Sequence, residues 1–149
     1  MKKMNKMNEC DDYKSVLREH GLRVTSKRLG IINLLKNYEV PVDAKVICEG
    51  LCDAGICINL STVYRALESL IEVGVVKRIN FSDDAKVFYE LNRGGHRHFL
   101  HCLGCGELIC LDDCPLSDYQ LDLAKETKYR VVSHDLDIYG YCPKCQVGK

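Results

Sequence analysis

Two cysteine pairs of the same spacing, Cys102-Leu-Gly-Cys105 and Cys142-Pro-Lys-Cys145, stand far apart in a chain of 149 residues. CxxC…CxxC is the spacing that closes four thiolates around one tetrahedral zinc ion, at about 2.3 Å per Zn–S bond. Any fold that uses it must carry the end of the chain back to the middle. The first pair follows directly on His96-Arg-His98-Phe-Leu-His101, so imidazoles are left over for a second, more adjustable metal. One closed metal site beside one tunable site is the layout of a sensor before it is that of an enzyme.

Ten cysteines would suit a secreted disulfide scaffold, but the chain starts with a polar, Lys- and Asn-rich Met1–Cys10 that has no signal-peptide core. No stretch approaches a membrane span. Metal-bound thiolates in a reducing cytoplasm are therefore expected, with no membrane partner. The formal net charge is zero, which argues against a surface that coats nucleic acid indiscriminately. Charge is unevenly spread, however. Residues 1–80 carry 13 Lys and Arg against 10 Asp and Glu, and residues 81–149 carry 8 against 11. This mild asymmetry fits a DNA-facing first half and a metal-binding second half.

Hydrophobic periodicity divides the chain in the same place. Residues 11–20 read as a short helix stopped by Gly21, and Thr25 as the N-cap of a second helix with Leu29, Ile32 and Leu35 inside. A third helix is expected over about Asp43 to Ala54, with Val46, Ile47 and Leu51 on its buried side and Gly55 at its end. Leu60-Ser61-Thr62 is a capping signal for a fourth, which buries Val63, Ala66, Leu67, Leu70 and Ile71 and closes at Gly74. Val75–Phe81 and Val87–Leu91 then flank Ser82-Asp83-Asp84-Ala85-Lys86 as strand, turn and strand. Helices followed by a hairpin make a winged helix-turn-helix.

Asn92-Arg93-Gly94-Gly95 is a hinge by composition, so the expected division is 1–91, hinge 92–95, and 96–149. In the second half, 98–103 and 107–111 read as strands around the first cysteine pair. Residues 116–127 read as an amphipathic helix using Leu116, Tyr119, Leu123 and Ala124, and Arg130–Tyr139 as a last strand. On such a strand His134 shares a face with Val132, Leu136 and Ile138 and looks inward. So small a layer buries little alone, and gains from a zinc staple and from pairing with a second copy.

In this order the motifs resemble the ferric uptake regulator (Fur) family of metal-dependent transcriptional repressors over nearly the whole chain. They are Gly21-Leu-Arg-Val-Thr25, Ser61-Thr-Val-Tyr-Arg65, Val87-Phe-Tyr-Glu90, the run from His96 to Gly106, and His134 with Tyr139-Gly-Tyr-Cys-Pro-Lys-Cys145. The resemblance implies an α+β protein in which a winged-helix DNA-binding domain precedes a small α/β dimerisation and metal-binding domain. It also implies a homodimer that binds palindromic double-stranded operators when metal is plentiful, with no catalytic residue and no small-molecule substrate. Cys102, Cys105, Cys142 and Cys145 are expected to hold a structural zinc. Thr62, Tyr64 and Arg65 of the fourth helix are the candidate readers of the major groove. Arg23, Thr25, Lys27 and Arg28, with Lys77 and Arg78, are candidates for phosphate contacts.

For the sensed metal, the resemblance brings His96, His98 and His134 to one site whose fourth ligand is commonly a carboxylate from the intervening helix. The nearest equivalent is Ser117, a poor ligand, and Cys114 is close enough to replace it. The expected set is His96, His98, Cys114 and His134. A further site of the family falls near Glu39 and at Glu90, Arg97 and Phe99, with Cys110 at a place often acidic. A one-residue slip would instead give it His96 and His98. Glu90 stays a candidate domain-bridging ligand and Glu39 a weaker one, against a plain reading of both as surface acids. A second divalent metal is expected, and imidazoles with a thiolate suit Zn²⁺ better than Fe²⁺ or Mn²⁺. An iron- or peroxide-responsive regulator, and a zinc-binding thiol redox or metal-storage protein, are the alternatives. The sequence assigns no role to Cys10, Cys48, Cys52 and Cys57.

Overall fold

The local signals that start and stop each helix are the first thing the computed structural model makes visible, and it describes residues 9–82 and 85–147. The polar start Met1–Asn8, the Asp83-Asp84 tip of the expected turn, and the side chain of Cys10 lie outside the described residues. Two units result, residues 1–93 and 94–149. The break falls inside the expected hinge, but only after Arg93. The Arg93 guanidinium donates to the carbonyls of Leu35, Lys36 and Tyr38, at 3.3, 3.3 and 2.8 Å, adding donors to the carbonyls at and just beyond the C-terminal end of α2. Asn92 Nδ2 donates to the Gly74 carbonyl at 2.9 Å, so both residues belong to the first unit.

That unit runs α1 (Glu9–Glu19), α2 (Ser26–Lys36), β1 (Val42–Asp43), α3 (Ala44–Asp53), α4 (Leu60–Glu72), β2 (Val76–Asn80) and β3 (Val87–Leu91). Thr25 caps α2 by accepting from the Arg28 backbone N–H at 3.2 Å, and Asp43 caps α3 through Val46 at 2.9 Å. The cap of α4 is Asn59, whose side-chain oxygen accepts from the Thr62 N–H at 2.8 Å. This corrects the expected cap at Leu60-Ser61-Thr62, since those three residues already lie within the helix. Asn caps a helix about as well as Ser, and Asn59 stands two residues ahead of Ser61. α4 then presents Val63, Ala66, Leu67 and Leu70 to the core. They meet Ile31, Ile32 and Leu35 of α2, Ile47 and Leu51 of α3, and Leu17 of α1. Each such side chain contributes about 1.5–3 kcal/mol on burial.

β2 and β3 form the expected hairpin, paired antiparallel from Val76↔Leu91 to Asn80↔Val87. A short β1, not anticipated, adds to the other edge of β3 through Val42↔Tyr89. Two residues give too little alternation for the sequence to reveal a strand.

The second unit contains β4 (His98–Cys102), β5 (Leu108–Leu111), α5 (Ser117–Thr127), β6 (Asp137–Gly140) and α6 (Pro143–Gln146). The strand order is β5-β4-β6, antiparallel on one side of β4 and parallel on the other. One expectation fails here, and the expected helix over 116–127 forms as α5. The last strand begins at Asp137 rather than Arg130, because parallel pairing opposes Asp137 to Phe99 and β4 has no residues before His98 to pair with anything earlier. Val132 is accordingly 81% exposed, and His134 lies in irregular chain. α5 buries no residue at all, so its Tyr119 face is apolar without cover. Among the described residues, no helix is long and apolar enough to cross a membrane.

The capping assignment has a direct test in urea unfolding. Asn59→Ala is expected to lower stability by about 1 kcal/mol, whereas Ser61→Ala, at an exposed helical position, changes it by less than about 0.5 kcal/mol.

Candidate metal centres and DNA-facing helix

The second unit's central strand positions both donor clusters. β4 ends at Cys102, and the turn after it returns Gly106 N–H to the Cys102 carbonyl at 2.9 Å, which folds Cys105 back beside Cys102. β6 runs parallel to β4 and delivers Cys142, while α6, opened by Pro143, turns Cys145 inward. The four sulfurs lie within 4.8 Å of one another. Cys105 and Cys142 are separated by 3.8 Å, the spacing of about 3.8 Å that sulfurs take at the corners of a tetrahedron with 2.3 Å bonds. The donor set therefore fits zinc.

Electrostatics of the cluster call for a cation. The Cys142 backbone N–H donates to Cys102 Sγ at 3.2 Å, and this bond chiefly lowers the Cys102 thiol to about 6. Cys145 is pushed up to about 12, first by its hydrogen bond with the Cys142 side chain and then by burial. Four adjacent thiols share too few N–H donors to ionise together. Gly104 makes the approach possible: a Cβ there would stand 2.7 Å from both Cβ and Sγ of Cys145.

At the other end of β4, His96, His98, Cys114 and His134 also place their donor atoms within 4.8 Å of one another. His98 Nε2 faces His134 Nε2 at 2.8 Å, and Cys114 Sγ is 3.2 Å from the same His134 nitrogen. His96 packs edge-on against both rings, with centroids 5.1 Å from His98 and 4.5 Å from His134. The outer nitrogens are also held. His98 Nδ1 is 3.3 Å from the Leu136 carbonyl, to which only an Nδ1–H can donate, leaving the Nε2 lone pair directed into the cluster. His134 Nδ1 meets the Gln120 side-chain amide nitrogen, and the ring turns its Nε2 toward His98 and Cys114. The His134 pKa is lowered, by burial first and then by the neighbouring His96 and His98, which keeps its ring neutral and able to ligate.

Gln120 and the Leu136 carbonyl were invisible to sequence reasoning. No short motif carries an orienting amide, and a backbone carbonyl has no residue type. Glu90 is buried on β3 of the first unit, and Glu39 of the same unit is exposed. Cys110 accepts from the Arg97 guanidinium at 2.9 Å, and the Ser117 backbone N–H donates to the Cys114 carbonyl at 3.3 Å.

In the first unit, Thr25, Lys27, Arg28, Thr62, Arg65 and Ala66 line one shallow depression of about 200 Å³ where α2 and α4 meet. Arg65 and Tyr64 are exposed. Arg28 is held rather than loose, its Nε donating to Ser69 Oγ at 3.1 Å and its Nη1 to the Arg23 carbonyl at 2.7 Å. Arg78 of the hairpin is paired with Glu68 of α4, which ties the wing to that helix and partly neutralises one expected phosphate contact.

The sequence profile of the ferric uptake regulator family matches residues 19–139. The ferric uptake regulation protein of Neisseria gonorrhoeae is 34% identical over 131 residues, covering 87% of this chain and 90% of that protein. The crystal structure of the Vibrio cholerae ferric uptake regulator superimposes with a TM-score of 0.75 at 34% identity, over 88% of this chain and 100% of that one. The Helicobacter pylori ferric uptake regulator, at 21% identity, shares the fold with a TM-score of 0.84 over 100% of this chain and 99% of its own. The chain belongs to the ferric uptake regulator family of metal-dependent transcriptional regulators.

Proposed function

We propose that this chain is a zinc-responsive repressor that binds palindromic operators as a homodimer. The observation that carries the reading is the second donor cluster. Three imidazoles and one thiolate converge there, with no carboxylate among them, and such a mixed N and S set suits Zn²⁺ better than Fe²⁺ or Mn²⁺. The four-cysteine cluster serves as a structural zinc site. Bound zinc would supply positive charge that lets neighbouring thiols ionise and holds imidazoles in one arrangement.

The chain's own residues carry the response. His96 stands directly after Gly94-Gly95, so fixing its ring against His98 and His134 fixes the chain where it leaves the hinge. This favours one population of winged-helix placements over others, and DNA and metal then strengthen each other's binding reciprocally. Thr62, Tyr64 and Arg65 read bases from the first turns of α4, and Arg23, Thr25, Lys27 and Arg28 hold phosphates. The apolar residues that the second unit leaves exposed, Tyr119, Leu121, Ile109 and Val132 among them, supply the surface for a second copy. As a regulator the chain is not an enzyme.

The decisive experiment loads the four-cysteine site with zinc, then titrates Zn²⁺, Fe²⁺ and Mn²⁺ while following operator binding. Binding should rise with Zn²⁺; a response to Fe²⁺ with none to Zn²⁺ would reject the zinc reading. Arg65→Ala should leave zinc content intact and weaken operator binding by about 1–3 kcal/mol, and unchanged binding would put the recognition surface elsewhere. Gly104→Ala, by crowding Cys145, should weaken zinc retention against a chelator by about tenfold or more.

A further inference from the structure

Among the described residues, three cysteines of the first unit belong to neither centre: Cys48 and Cys52 on α3, and Cys57 in the loop before α4. Positions i and i+4 of a helix stand one above the other on one face. Both sulfurs here address the same backbone oxygen, that of Ile58, from 3.5 Å for Cys48 and 3.9 Å for Cys52. Burial first, and then the neighbouring Cys52, raise the Cys48 thiol above its ordinary range. Ile58 immediately precedes Asn59, the cap of α4. The thiol pair therefore sits in the turn of the helix-turn-helix, against the start of the helix assigned to DNA.

The pair has the composition of a two-ligand site. Among the described residues, three or more His, Cys, Asp or Glu donors converge only at the two centres of the second unit, so Cys57 does not complete a trio. Two sulfurs alone cannot close a zinc tetrahedron. They do satisfy a soft d¹⁰ cation that accepts two thiolates, and sulfur ligands select Cu(I) among biological metals. Cys52 is exposed and Cys48 half-buried, which gives an ion an entry path from solvent.

We propose that Cys48 and Cys52 form a thiol clamp for Cu(I), and that its occupation lowers affinity for DNA. Two Cu–S bonds form and two S–H bonds break; both protons go to solvent and no electron is transferred. A neutral dithiol becomes a bis-thiolate complex of charge −1. The positive end of the α4 dipole stabilises that charge, but DNA phosphates approaching the same helix meet it as repulsion. Both S–H donors to Ile58 are also lost, which frees the segment that positions Asn59. The effect on DNA rests on the proposed role of α4, whereas the copper site itself does not.

The test uses zinc-loaded full-length protein without oxygen, with Cu(I) supplied from a competing chromogenic chelator and zinc release followed in parallel. Wild type should bind one more Cu(I) per chain than Cys48→Ser/Cys52→Ser, before any zinc leaves, and Cys57→Ser should match wild type. Cys52→Ser alone, at an exposed position, should lose the same equivalent, so that a packing defect at Cys48 cannot imitate the result. Operator affinity at fixed free zinc should fall about tenfold with copper in wild type and stay constant in the double variant. Equal copper uptake by wild type and the double variant, uptake only as zinc departs, or copper uptake with unchanged operator affinity would each overturn the proposal. Failure of every copper-free protein to bind operator would refute the DNA-binding reading instead, while the copper count still decides the site.

Discussion

The unit formed by residues 94–149 depends on the meeting of Cys142 and Cys145 with Cys102 and Cys105. Its buried side chains are few: Phe99 and Cys102 with the polar His98 and His101, while α5 buries none. At about 1.5–3 kcal/mol for each large apolar side chain, that is little against the chain entropy of ordering some fifty residues. A structural zinc contributes on the order of 10–16 kcal/mol in small metal-binding domains. On the proposed reading the thiolate cluster, and not an apolar core, is what makes the three-stranded sheet worth forming. It also fixes the register of β6 on β4, and with it the course of the chain through His134.

The second cluster inherits its geometry from that frame. His98 begins the strand whose far end is Cys102, and its outer nitrogen is held by the carbonyl of Leu136, just ahead of β6. Gln120 of α5 orients His134 from the opposite side. The His98 and His134 rings thus face one another with their outer nitrogens already taken, one by a backbone carbonyl ahead of β6 and one by an amide of α5. The first unit contrasts with this economy, since its helices close around an apolar core that owes nothing to metal.

Much of this was legible in the residues, for reasons that differ from place to place. Helices α2 to α4 announce themselves through three-to-four-residue periodicity, with the Thr25 cap before α2 and closing glycines at Gly55 and Gly74 after α3 and α4, and the hairpin through two apolar runs around a polar turn. The four-cysteine cluster was readable because its spacing is itself the chemistry. The expected companions His96, His98, Cys114 and His134 do converge, yet the route to them was partly mistaken. His134 reaches the cluster from irregular chain, not from the face of a long strand, since Val131 and Val132 raise strand propensity without a partner strand to pair with. Glu90 is buried on β3 of the first unit. Gln120 could not be found at all, because an orienting amide has no spacing rule.

The central claim is that one chain carries an all-thiolate zinc site beside a three-imidazole, one-thiolate site. Zinc-edge X-ray absorption on protein loaded with two zinc ions per chain tests it most directly. The account predicts five sulfur and three nitrogen ligands shared between the two ions, at distances of about 2.3 and 2.0 Å. A second ion bound mainly by oxygen, or only one zinc retained per chain, would contradict it.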